Sequence, residues 1–108
     1  MPIYDLYGFI STDINEAKNF LESALNIKFE VHDSSFQGGE YFCSGKHTDE
    51  NFVLKRNIDP YDDEPTEISC PEYPILFYVN DTTRSVDLRG RIVENAGNVI
   101  LLRHENLQ

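Results

Sequence analysis

Between Ile58 and Pro74 the chain reads I-D-P-Y-D-D-E-P-T-E-I-S-C-P-E-Y-P, with six carboxylates (Asp59, Asp62, Asp63, Glu64, Glu67 and Glu72) and no basic residue. Side chains of this kind hold a hard cation or meet a cationic partner. A calcium loop of the EF-hand type needs oxygens at alternate positions, a central glycine for its sharp turn and a closing glutamate. The prolines and the missing glycine break that pattern. Pro60, Pro65, Pro71 and Pro74 also stop the stretch from continuing a helix or pairing as an interior strand. Tyr61 and Tyr73 flank the acidic segment, and aromatic anchors ringed by charge are what protein interfaces use. The same two rings serve equally well to staple a long loop onto the body of the protein. The expected partner-binding set is Asp59, Tyr61, Asp62, Asp63, Glu64, Glu67, Glu72 and Tyr73, with the hairpin around Lys46 to Asn51 (Asp49, Glu50) as the competing site.

Other chemistry is sparse. His32, His47 and His104 fall on a strand end, a hairpin loop and the tail, with no partner at recognised metal-ligand spacing. They read as solvated histidines. No glycine-flanked serine or Cys–His arrangement suggests a nucleophile. Gly38-Gly39 lacks the strand–turn–helix setting of a phosphate loop, and Glu40 beside it would repel an anion. We therefore expect no catalytic residue, no cofactor and no metal. Cys43 and Cys70 form no disulfide framework; Cys43 reads as a small core residue and Cys70 as a loop residue, both reduced.

Nineteen acids against nine bases leave a formal net charge of −10 on 108 residues. A field of that sign disfavours nucleic acid and anionic lipid as partners, and it accelerates encounter with a basic protein. It also keeps a small protein soluble and monomeric. With no signal peptide or long apolar run at its start, the chain is expected to be cytoplasmic.

The elements that must position these groups follow from periodicity. Residues 1–108 read as one domain of α/β (α+β) class in the order β-α-β-β-β-β-α-β, a sandwich of two helices on a mainly antiparallel sheet of about six strands. Ile3 to Ile10 alternates as a first strand with Tyr4, Leu6 and Ile10 on its inward face. Asp13 is an N-cap, with Glu16 completing an acidic capping box. Ile14, Ala17, Phe20, Leu21, Ala24 and Leu25 form one helical face, and Asn26 suits a left-handed C-cap. Ile27–His32, Glu40–Ser44 and Phe52–Ile58 read as a meander of strands, with Gly38 and Gly39 supplying positive φ in a turn. Ile75–Val79 is a strand buried on both faces. Asn80 to Thr83 offer caps for a poorer helix that contains Gly90 and ends at Gly97. Val99–Leu102 is a last strand, and R-H-E-N-L-Q an exposed tail.

The first half, with D-I-N-E-A-K-N-F-L-E-S-A-L-N-I-K-F-E after a strand, resembles the β-α-β-β-β module of the glyoxalase and bleomycin-resistance superfamily. That resemblance implies topology, and a small-molecule or enzymatic pocket as an alternative function. The family's metal ligands are not matched, because Tyr4, Leu6 and Ile10 stand where a His or Gln would be wanted. In size, acidity and lack of catalytic residues, the chain resembles the immunity proteins of bacterial contact-dependent growth inhibition and other polymorphic toxin systems. This second resemblance implies a cytoplasmic, non-enzymatic protein that neutralises a cognate toxin domain, often a nuclease.

Overall fold

A hydrophobic period that changes from two to about 3.6 and back, twice along the chain, builds the architecture. The computed structural model describes residues 3–34, 39–45, 50–58, 67, 71–93 and 99–106. Among these the order is β1 (Ile3–Phe9), α1 (Ile14–Leu25), β2 (Glu30–Ser34), β3 (Gly39–Gly45), β4 (Asn51–Arg56), β5 (Ile75–Thr82), α2 (Ser85–Val93) and β6 (Val99–Asn106). The six strands make one antiparallel sheet in the order β2-β3-β4-β5-β1-β6. This is the expected α+β sandwich.

One cross-strand row runs along the core face: Val31, Phe42, Leu54, Phe77, Tyr7 and Leu101 stand opposite one another from edge to edge, and the middle four are buried. Phe77 is its centre, with ring centroids of Tyr7, Phe29 and Phe52 at 6.1, 6.2 and 5.8 Å. Onto this face α1 lays Ile14, Ala17, Leu21 and Leu25, and α2 lays Leu88 and Ile92, all buried. Asp13 caps α1 by accepting from the backbone N–H groups of Asn15 (3.0 Å) and Glu16 (3.2 Å). Its own N–H donates to Ser11 Oγ at 3.1 Å, in place of the Glu16 carboxylate that a capping box would use. Asn26 ends the helix at φ 55, ψ 50, as its side chain suits.

Several expected boundaries and faces shift, for identifiable reasons. On β1, Asp5, Tyr7 and Phe9 turn toward the helices; Leu6 is buried on the opposite face, and Ile10 lies beyond the strand at 63% exposure. Both faces of β1 are covered, so alternation could not say which was inward. β2 begins at Glu30 rather than Ile27, while Phe29 enters the core just before it. Val31 is exposed because it sits on the edge strand. Cys43 is half-buried on the face away from the helices and lies outside the core. β5 runs on to Thr82, through the expected helix caps. There Asn80 and Asp81 together oppose Tyr4 in a bulge, with Asp81 at φ 55. β6 runs on to Asn106 through the expected tail, because the first residues of β1 pair with it. Among the described glycines positive φ falls at Gly45 (φ 90), whereas Gly39 opens β3. Gly38, His47, Cys70 and Gly97 lie outside the described residues.

One ion pair ties the β3–β4 connection to the start of α2. Arg84 donates to Glu50 through Nε (3.0 Å to Oε2) and Nη2 (2.6 Å to Oε1), and the Thr82 hydroxyl donates to Oε2 at 2.6 Å. The Arg84 hydrogen bonds, with Thr82 adding, hold the Glu50 carboxyl below its ordinary value despite some burial. A lowered folded-state value stabilises the protein above the ordinary carboxyl range and loses that contribution as pH falls through it. Glu50→Gln is therefore expected to cost about 1 kcal/mol at neutral pH. In urea titrations the gap from wild type should close as pH falls from about 5 to about 2. A gap that does not change with pH would mean that charge at Glu50 contributes nothing.

Candidate functional site

The face of the sheet away from the helices carries its own cross-strand row: Glu30, Cys43, Val53, Tyr78, Leu6 and Arg103. The described parts of the acidic connection, Glu67 and residues 71–74, lie against the β5-β1-β6 half of this face. Glu67 is the first pin. Its carboxylate accepts from the Tyr78 hydroxyl at 2.8 Å and pairs with Arg103 at 3.3 Å. Its backbone N–H donates to Asn57 Oδ1 at 2.9 Å. Asn57 is the second pin, because its Nδ2 donates to the Tyr73 carbonyl and its N–H to the Pro74 carbonyl, both at 2.9 Å. One amide side chain thus closes the connection onto itself just past β4.

Tyr73 is the third pin. A Cβ built on Gly8 would come within 2.7 Å of Tyr73 Cγ and 2.7 Å of Leu102 Cδ1, so the ring lies directly on the glycine. Leu102 reaches this spot because it is the extra residue where Leu6 pairs with Arg103 and Tyr7 with Leu101. Glu72 beside it is exposed. Of the expected partner-binding residues, then, Glu67 and Tyr73 meet on the open face in contacts within the chain, and Glu72 faces water. Asp59, Tyr61, Asp62, Asp63 and Glu64 lie outside the described residues. Asn57 was missed by sequence reasoning, which placed it inside a strand over Phe52–Ile58; β4 ends at Arg56, and this frees its amide for these contacts.

The β2-β3-β4 half of the same face holds a groove of about 310 Å³ lined by Lys28, Glu30, His32, Tyr41, Cys43 and Val53, among others. His32 lies within β2, not at a strand end, and its ring stacks on Tyr41 with centroids 5.5 Å apart and planes 25° apart. Burial, and then the Glu30 carboxylate, push the Cys43 thiol up, which makes it a poor nucleophile at neutral pH.

On the helix face a polar cluster escaped sequence reasoning entirely. Asp5 is separated from Ser85 and His104 by most of the chain, yet the Ser85 hydroxyl donates to Asp5 Oδ2 at 2.5 Å and His104 Nδ1 lies 2.6 Å from Asp5 Oδ1. His104, expected on a solvated tail, is instead part of β6. These residue types are those of a nucleophilic triad, but the order is wrong: a triad needs the imidazole between serine and carboxylate. Here one imidazole nitrogen, Nδ1, faces both the carboxylate at 2.6 Å and the hydroxyl at 3.5 Å, the hydroxyl is held by the carboxylate, and Ser85 is buried at 2% exposure. The cluster is a clasp joining β1, β6 and the start of α2. Beside it the Tyr7 hydroxyl is buried with no hydrogen-bond partner among the described residues. Burial first, and then Asp5, push it up to about 12, while the nearby Arg89 acts the other way.

Among the described residues no group of three His, Cys, Asp or Glu side chains is placed to hold a metal ion. No described helix is long and apolar enough to cross a membrane. No protein-family model matches the chain, and no curated protein matches it by sequence.

Proposed function

We propose that the chain is a small acidic binding protein that neutralises a basic protein, most specifically an immunity protein that blocks a toxin domain. The observation that carries this reading is a net charge of −10 combined with an acidic connection pinned by Glu67 and Tyr73 across one face of the sheet. Anchoring at Glu67 and Tyr73 matters because a segment tied at two points loses less conformational entropy on binding than a free one. In this mechanism the carboxylates cover the positive surface that a nuclease would use for nucleic acid, and the toxin is silenced by occlusion. The groove on the other half of the face is the feature that favours the alternative, a small-molecule site.

The test is co-expression with the product of the gene immediately upstream, followed by rate measurements on the purified pair. Association is expected to slow by at least about tenfold between low and high ionic strength, since charge steering is screened beyond roughly 10 Å at 0.1 M salt. Replacing Asp62, Asp63 and Glu64 together by alanine should change stability by less than about 0.5 kcal/mol per site. It should nonetheless slow association. A salt-independent rate would assign the net charge to solubility alone.

A further inference from the structure

We infer that the groove between β2 and β4 is a receptor for an arginine side chain of the basic partner, an inference that rests on the binding function proposed above. Four features converge there. Glu30 and His32 stand two residues apart on β2, so both project from the open face, opposite Cys43 and Tyr41 of β3. Stacking on His32 uses one face of the Tyr41 ring and leaves the other, and a guanidinium packs against such a face better than an ammonium does. The Glu30 carboxylate is 84% exposed, with His32 Nε2 no nearer than 3.9 Å, which leaves oxygens for a two-pronged hydrogen bond. Cys43 and Val53 give the floor an apolar patch for the methylene stem.

The size of the groove selects the occupant. About 310 Å³ lies at the bottom of the range for metabolite and cofactor sites, roughly 300–1,000 Å³, and suits one long side chain. Its charge selects the sign: Glu30 and the net charge of −10 repel an anion. Lys28 on the lining opposes a cation, so the guanidinium belongs on the Glu30 side. That opposition gives the proposal a signature a merely sticky surface would lack.

The probe is N-acetyl-arginine methylamide, titrated into the full chain and followed by backbone amide chemical shifts. Shifts should saturate and concentrate at Glu30, His32, Tyr41, Cys43 and Val53, with the lysine analogue binding more weakly. Glu30→Gln and Tyr41→Leu should each weaken binding by about two- to fivefold, and Lys28→Gln should tighten it. Glu30 is exposed, so its variant folds even if the Tyr41 variant does not. Shifts confined to the acidic connection, an equal response to lysine, or weaker binding in Lys28→Gln would overturn the assignment. A basic partner that binds Glu30→Gln with unchanged rate constants would overturn it too, while leaving the binding function intact. Arginine seated in the groove, with no association of the co-expressed protein, would support the receptor and count against the binding function.

Discussion

Asp5→Ala is expected to destabilise the protein by about 3 kcal/mol, the largest effect of any single polar substitution proposed for this chain. The carboxyl is buried at 2% exposure and serves two partners. Its removal takes away the short contacts of the Ser85 hydroxyl and of His104 Nδ1 and leaves them only each other, 3.5 Å apart. Breaking the clasp also loosens a polar link between β1, β6 and the second helix. For a domain of this size the loss corresponds to a fall in Tm of roughly 10–20 °C. Ser85→Ala removes only a donor and should cost about 1 kcal/mol. His104→Ala should fall between the two, because its side chain is 41% exposed and water can take its place. Thermal melts of the three variants check the order. If Asp5→Ala proved as mild as Ser85→Ala, the cluster would not be a clasp.

This clasp also shows where sequence reading stops. Asp5 and His104 are 99 residues apart. Neither alternation nor helical periodicity encodes a side-chain meeting between the two termini; it exists only because β1 lies between β5 and β6. The helix from Ile14 to Leu25 was legible except for its capping box, since its N-cap, apolar stripe and terminating asparagine are all local signals that tertiary packing left intact. β1 was legible as a strand but not in orientation, because Leu6 and Tyr7 are both buried, on opposite faces. The ends of β5 and β6 were hidden for a related reason. Asn80, Asp81 and the residues from Arg103 to Asn106 are polar; pairing with β1 holds Arg103 to Asn106 and Thr82 extended, and Asn80 pairs with Asn51 of β4. Of the acidic connection, the described Glu67 and residues 71–74 lie outside helix and strand, as its prolines imply. Its pins were not legible, since Asn57, Gly8 and Arg103 carry no mark of their contacts with it.

Gly8→Ala is expected to cost about 1–3 kcal/mol, by overpacking rather than by any backbone requirement for glycine. The new methyl would meet Tyr73 Cγ and Cδ1 at 2.7 and 2.8 Å and Leu102 Cδ1 at 2.7 Å. Leu102 can turn its methyl away, but the Tyr73 ring is fixed by its own backbone, whose carbonyl is held by Asn57. The ring must therefore lift, and the end of the acidic connection lifts with it. Tyr73→Ala removes the obstacle, so the double variant Gly8→Ala/Tyr73→Ala should be about as stable as Tyr73→Ala alone, a strongly non-additive cycle. Additive losses would show that the glycine matters for another reason. The same substitution separates charge from placement in the proposed binding function, because Gly8→Ala leaves the net charge at −10. If the pinned connection is the contact surface, the salt dependence of association should stay as in wild type while dissociation speeds up, since steering depends on total charge and retention on fit. Dissociation that stays at the wild-type rate while the Tyr73 ring is displaced would place the contact surface elsewhere, with the β2–β4 groove as the remaining part of the open face to bear it.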